Sequence, residues 1–500
     1  VYKRQLLVGT AASPGSGTVA ITTTTNKDAT TGIYSPRMVF TSDGGTAVDW
    51  ATSTTSTGPT TPNTLSALSS YTTLPTTGGS NSVNYKMTAG TTLTGNVAAN
   101  TLKMENASGD LALGTRVLTV NSGGILMTGT NARSITGTSG ATRLTAGAGS
   151  SYALVIQNYN TGSQTISAVI GNNSTNAVSL TLAGPVQNTL ALSGNNTYTG
   201  ATYINGGRMQ VGTANILGGT SGVFVANGGQ IFFSGFSFAK TLEISGYGRV
   251  DGGVGGAPTT QFGAVRVSTN SDLQGTITLA SEARIGKHAG GAATISGQIT
   301  GGFDVDFFGT ADSNDDINTL TISNTANDYT GDTSISFQDY NVTTPFTGGS
   351  TTLKLGASNG AGKGNLVFTG TDTHHRTILE LNGNNETVNG LKNLAASGAL
   401  IRNNHASTAS TLTVGDGNTS SIFSGSIVDG GAASLAISKT GTGKLTLAGA
   451  NTYTGATNVN SGTLEIGSGS SLSASSAVTV SNSGSALIVN GTVGGTLMVN

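Results

Sequence analysis

The chain has 500 residues, of which only 9% are charged, with a net charge of −1 and no cysteine. Scarce Lys and Arg exclude the basic footprint that nucleic acid needs, and the absence of Cys excludes disulfides, thiolate metal sites and cysteine nucleophiles. No apolar run approaches the ~18 residues of a spanning helix, and the 36% of hydrophobic residues fall in regular short alternations unlike the apolar-poor, strongly charged composition of disorder.

The chain opens on a basic stretch, Val1 to Gln5, but Leu6-Leu7-Val8 is too short for a signal-peptide core. Residues 52–77 are dense in Thr and Ser and carry Pro59, Pro62 and Pro75. Residues 1–82 therefore read as an irregular lead-in, an N-terminal cap or first coils. From Val83 onward the texture is steady. Runs such as Leu353-Lys354-Leu355, Leu379-Glu380-Leu381, Leu412-Thr413-Val414 and Leu464-Glu465-Ile466 place aliphatics on one strand face and polar residues on the other. Gly, Asn and Asp between them accept turn conformations. Helix periodicity is absent, and Gly with β-branched residues opposes helix. Asn205-Gly206 and Asp251-Gly252 carry hairpin signals.

A twelve-residue phrase occurs twice, at Asn196 to Gly207 (NTYTGATYINGG) and Asn451 to Gly462 (NTYTGATNVNSG). A degenerate third copy runs through Thr319 to Ile322, Asp328 to Thr333 and Leu353/Leu355, so that Tyr329 falls 131 residues after Tyr198 and 124 before Tyr453. The repeat cores lie near residues 189–212, 319–356 and 444–467. Long-period self-similarity marks a repeat architecture and favours a parallel solenoid over residues 83–500, whose core grows lengthwise because each coil contacts only its neighbours. Coils of ~20–25 residues rising ~4.8 Å predict a rod of roughly 90–100 Å.

The segment Lys439 to Gly467 (KTGTGKLTLAGANTYTGATNVNSGTLEIG), the second half repeated at Leu190 to Gly212, and flanking phrases such as Phe423 to Gly431 and Ile295 to Gly302 resemble the autotransporter-associated β-strand repeat of bacterial surface and secreted proteins. The resemblance covers roughly residues 83–500. It implies a right-handed parallel β-helix passenger, exported and displayed at or beyond the outer membrane of a Gram-negative-type cell. It also implies a C-terminal membrane barrel or sorting anchor outside this fragment, since Val499-Asn500 breaks off in mid-pattern. The family has no common catalytic residues to carry over.

Candidate chemistry is sparse. Asp304 and Asp306, two apart in FDVDFF, share a strand face, and a carboxylate pair on a β-helix is how some polysaccharide-degrading enzymes perform acid/base chemistry. The structural reading places them on a solvated face with Phe303, Val305 and Phe307 inward, and no basic residue or His stands nearby in sequence. Asp312 to Asp316 resembles the opening of a calcium loop, but Ile317 and Ser323 occupy the places of the required Gly and Glu. Adjacent His374 and His375 point opposite ways on a strand and read as an exposed loop pair, with His405 far along the chain. Gly356 to Gly360 (GASNG) matches a serine-elbow pattern without the following helix. Gly362-Lys363-Gly364 lacks the full phosphate-loop spacing. Tyr198, Tyr329 and Tyr453 fit stacking on sugar rings or packing on the next coil, and packing is preferred because solenoid units bury their faces on neighbours.

No residue is thus assigned a catalytic, cofactor-binding or metal role. The expected function is non-enzymatic: a stalk for adhesion, matrix building or display, with glycans or cell and abiotic surfaces as partners. The alternative is a polysaccharide-acting β-helix enzyme resting on Asp304/Asp306. An ice-binding solenoid would need a Thr-x-Thr ladder at coil spacing, and the Thr residues show no fixed register in the sequence.

Overall fold

The computed structural model describes residues 6–9, 20–21, 38–42, 47–53, 63–105, 109–185, 188–251, 260–311, 316–339, 349–370, 375–393 and 398–500. These form two compact units, Val1–Phe232 and Phe233–Asn500. Each contains a parallel β-solenoid.

The second unit shows most plainly why these residues coil. In Leu435–Lys439, Leu435, Ile437 and Lys439 are buried while Ala436 and Ser438 are half-buried, the period-two pattern of a strand with one face in a core. Its parallel partner on one side is Ser410–Val414, where Leu412 pairs with Ile437, 25 residues on. On the other side is Thr457–Val459, where Ile437 pairs with Thr457, 20 residues on. Val478–Val480 and Leu497–Val499 continue the line. Each strand thus bonds to the strand one coil away in sequence. Like residues stack as columns: Val388, Val414, Lys439, Val459 and Val480 share one inward register. Burying each aliphatic contributes roughly 1.5–3 kcal/mol, and a one-residue slip would turn the whole column outward.

Two further lines complete the coils of this unit. Gly291–Ile295, Ile317–Ile322, Ser350–Leu355, Arg376–Glu380, Ala399–Asn403 and Ser426–Gly430 pair in succession. Ile277–Lys287, Val305–Ala311, Thr333–Asp339, Leu366–Gly370 and Leu391–Asn393 form another. An outward charge ladder fixes the first of these. Glu380, stacked between Lys354 and Arg402 on neighbouring coils, pairs with Lys354 at 3.4 Å and with Arg402 at 2.6 Å.

In the first unit the line Asn84–Met87, Val97–Met104, Leu118–Gly129, Ala153–Asn160, Ser179–Ala183, Thr202–Ile204 and Val223–Val225 is parallel throughout. Parallel pairing already appears at Thr72–Thr73 against Tyr85 and Lys86. Before it, Met38–Ser42, Ala47–Ser53 and Asn63–Ala67 pair antiparallel. This lead-in is fastened to the coils by the chain's one tryptophan. Trp50 is fully buried with Leu68 and Leu126, and Tyr71 and Tyr159 pack against them. Beside it Asp49 pairs with Lys103 at 2.6 Å and accepts the Tyr71 hydroxyl.

Val250–Asp251 pairs antiparallel with Thr260–Gln261, while Gly252 of the Asp251-Gly252 signal lies outside the described residues. Asn205-Gly206 is instead a solenoid corner, because Thr202–Ile204 and Gly207–Val211 pair with strands of the preceding coil and not with each other. A Cβ at Gly206 would lie 2.4 Å from the Gly184 carbonyl, so the glycine serves coil-to-coil approach.

Candidate functional site

The repeated phrase builds the same corner three times. Tyr198, Tyr329 and Tyr453 are completely buried. Each hydroxyl bonds the Thr four residues on, Tyr198 to Thr202 at 2.8 Å, Tyr329 to Thr333 at 2.7 Å and Tyr453 to Thr457 at 2.7 Å. A buried phenol needs such a partner. Burial pushes all three phenols above their ordinary value, Tyr453 to about 12.

The Asn two residues before each Tyr staples coils. Asn196, Asn327 and Asn451 accept through Oδ1 from the backbone N–H of Ile170, Ile299 and Ile427 on the preceding coil, at 2.7, 2.7 and 3.1 Å. Through Nδ2, Asn327 donates to the Gly360 carbonyl at 2.8 Å and Asn451 to the Ser471 carbonyl at 3.2 Å, on the following coil; Asn196 does the same to Ile216. The Gly two residues after each Tyr is required by proximity. A Cβ at Gly200, Gly331 or Gly455 would lie 2.5, 2.3 and 2.3 Å from the carbonyl oxygen of Val178, Phe303 and Leu435. Asn, Tyr, Gly and Thr are therefore consumed by coil-to-coil fastening, and the rings present no face for a sugar.

The carboxylate pair does not form a shared site. Asp304 is exposed and precedes the strand, where its Oδ1 accepts the Asp332 N–H at 2.7 Å. Asp306 is buried and bound by Arg284 at 2.7 Å and by the Ser336 hydroxyl. Two expectations fail here. Phe303 is 46% exposed instead of inward. A basic residue does stand beside Asp306, because cross-coil register brings Arg284 opposite it from 22 positions away. Arg284 lies against the Phe308 ring at 4.1 Å and the Tyr247 ring at 4.7 Å, so the carboxylate is neutralised within a packed outer-face cluster.

Asp312 to Asp315 and His374 lie outside the described residues. The backbone carbonyl of Asp316 accepts the Ser350 N–H at 3.0 Å. Among the described residues no group of three His, Cys, Asp or Glu could hold a metal ion. His375 is buried and stacked on Phe337 at 4.6 Å, not exposed in a loop. His405 caps a turn, its Nδ1 accepting from Thr408 N–H at 2.9 Å. The Ser358 hydroxyl of GASNG accepts the Asn385 N–H at 3.1 Å, a turn contact with no base. Gly362 has φ +74° and packs on the Tyr329 ring, where a Cβ would come within 2.4 Å.

Buried ionisable residues escaped the sequence reading, Glu386 and Lys439 among them. Glu386 is fully buried at an inward register position beside Leu412. Its carboxylate accepts the Ala361 and Thr387 N–H groups at 3.2 Å each, and burial pushes it up to about 8. Lys439 is fully buried at the inward end of Leu435–Lys439. The available signal for both was a charged residue in the apolar phase of an alternating strand.

The passenger-associated-transport-repeat model matches residues 188–211, 317–336 and 437–466. These three stretches contain the three Asn–Tyr–Thr corners. The chain carries three passenger-associated transport repeats, the kind found in autotransporter passengers. No curated protein and no solved structure matches it. The repeat thus conserves its fastening side chains across the three copies and varies the outward ones: the position five after each Tyr is Tyr203, Ser334 or Asn458.

Proposed function

We propose that this chain is a displayed β-solenoid stalk of a Gram-negative-type outer surface, holding polar faces away from the cell for multivalent, individually weak contact with glycans or solid surfaces. The passenger-repeat matches support an exported surface segment. The observation that carries the reading is the division of labour in the repeat: its distinctive side chains face inward, bonding coil to coil, while its outward positions vary and one outward column of the second unit carries small polar groups. Thr387, Thr413, Ser438, Asn458 and Thr479 stack in one outward column over five coils. Ser438 and Asn458 interrupt the Thr residues of this column. It is no ice-binding ladder, since Thr411-x-Thr413 is followed by Ala436-x-Ser438.

The testing experiment incubates the purified chain with acidic and neutral polysaccharides and with abiotic beads, measuring retention and reducing-end release together. Retention without release supports a non-enzymatic adhesive stalk. Release abolished by Asp304→Ala/Asp306→Ala replaces it with a polysaccharide-acting enzyme. Neither retention nor release on any material leaves a passive spacer and removes the adhesive role.

A further inference from the structure

Lys439 sits where its register neighbours, Val414 and Val459, are apolar. Its ammonium does not meet a carboxylate among the described residues. It turns into the corner instead, donating to the carbonyl oxygens of Thr440 at 2.5 Å, Gly441 at 3.0 Å and Ser461 at 3.2 Å. Thr440 and Gly441 belong to its own coil and Ser461 to the next. Gly415 of the preceding coil closes the far side: a Cβ there would lie 3.2 Å from Nζ. The ammonium therefore bonds two successive coils and lies beside a third.

The chain makes a second such corner. Lys287 is also fully buried at the inward end of its strand. Its ammonium donates to the carbonyls of His288 at 2.7 Å, Ala289 at 3.3 Å and Gly290, and to the Thr269 hydroxyl at 3.3 Å on the preceding coil. In both cases carbonyls of the turn directly after the lysine accept from it. Lys287 lies outside the matched repeats, so the arrangement follows from corner geometry and not only from the repeated phrase.

We propose that the Lys439 corner is a binding site for a monovalent ammonium-type cation, which the chain fills with its own side chain, and that filling it locks successive coils together. Corner carbonyls have lone pairs that the strand ladder does not use, and buried polar groups need partners. Converging carbonyl oxygens present partial negative charge without a formal anion, the chemistry that holds a dehydrated monovalent cation. A divalent ion would demand carboxylates. Charge-assisted N–H bonds are the stronger kind, and three of them work against the desolvation that makes a buried ammonium unfavourable. Lys439 is accordingly a positioning residue for the corner.

The test uses the full chain with Lys439→Ala, which empties the nest, and Lys439→Met, which fills the space without charge. Amide exchange at Thr440 and Asn460, each bonded across this corner, is compared in ammonium, n-butylammonium, potassium and choline chloride at equal ionic strength. Both variants should exchange roughly tenfold faster than the parent at these amides. Ammonium or butylammonium should restore protection saturably in Lys439→Ala, with no effect on the parent or on Lys439→Met. Parent-like protection in Lys439→Met would overturn the proposal, because the corner would then need no cation. So would equal exchange of Lys439→Ala in ammonium and choline.

Discussion

The phenol of Tyr453 and the hydroxyl of Thr457 lie 2.7 Å apart in a fully buried corner, and Thr457 passes the contact to Ser476 on the next coil at 2.9 Å. A chain of three hydroxyls thus crosses from the repeat into the coil that follows it. Its energetic content can be measured. Tyr453→Phe should destabilise by about 1 kcal/mol, and Thr457→Val by about 1–3 kcal/mol because Tyr453 and Ser476 both lose the hydroxyl between them. In a double-mutant cycle by denaturant unfolding the pair should cost less than the sum. Additive losses would show that the hydrogen bond contributes nothing.

The repeat glycines are set by approach distance. Gly455→Ala puts a Cβ 2.3 Å from the Leu435 carbonyl oxygen, whereas nothing lies within 4 Å of a Cβ at Gly212. Overpacking of this kind typically costs 1–3 kcal/mol or somewhat more. Gly455→Ala should lower the thermal midpoint and Gly212→Ala should not. Similar midpoints for both would mean that the coils separate at little cost.

Glu386 gives the fold a pH dependence with a defined sign. Its carboxyl is raised from 4.5 to about 8 by burial. Below pH 4.5 both folded and unfolded chains hold the proton, and the contribution is fully present. As pH rises the unfolded chain releases its proton first, so stability falls until the folded carboxyl ionises near pH 8. The loss is at most on the order of 5 kcal/mol. Urea midpoints should decline between pH 5 and 8 in the parent, and Glu386→Gln should flatten that decline. An unchanged slope in Glu386→Gln would assign it to other groups.

The outer-face ladder of Lys354, Glu380 and Arg402 has Glu380 as its nearly buried centre. Glu380→Ala leaves two cations facing each other, and should cost about 2–4 kcal/mol, below the full buried-pair value because Lys354 is partly exposed. Lys354→Ala should cost under about 1 kcal/mol. Equal losses for the two variants would contradict the central role of Glu380.

Trp50 is the chain's one tryptophan and is fully buried against Leu126. Its emission should be blue-shifted in the native chain. Lys103→Ala, which removes the cation bound to Asp49 at 2.6 Å, should move it towards the red as the lead-in loosens. Unchanged emission would show that apolar packing alone holds the lead-in.

The sequence by itself determined the architecture, because its information is local and periodic. Alternation in runs such as Leu412-Thr413-Val414 dictates strands with one apolar face, and the recurring NTYTG phrase dictates that coils stack on copies of themselves. It also placed the three tyrosines in packing, since a residue belonging to the repeat serves what every repeat must do. What only the tertiary structure decided is which residues meet across coils. Arg284 reaches Asp306 because register brings together positions 22 apart, and no local pattern encodes that distance. Asn205-Gly206 became a corner instead of a hairpin because the preceding coil offered both strands a parallel partner. Glu386 and Lys439 occupy apolar phases, and only the turns packed beside them supply the N–H groups and carbonyls that make such charges tolerable in a core.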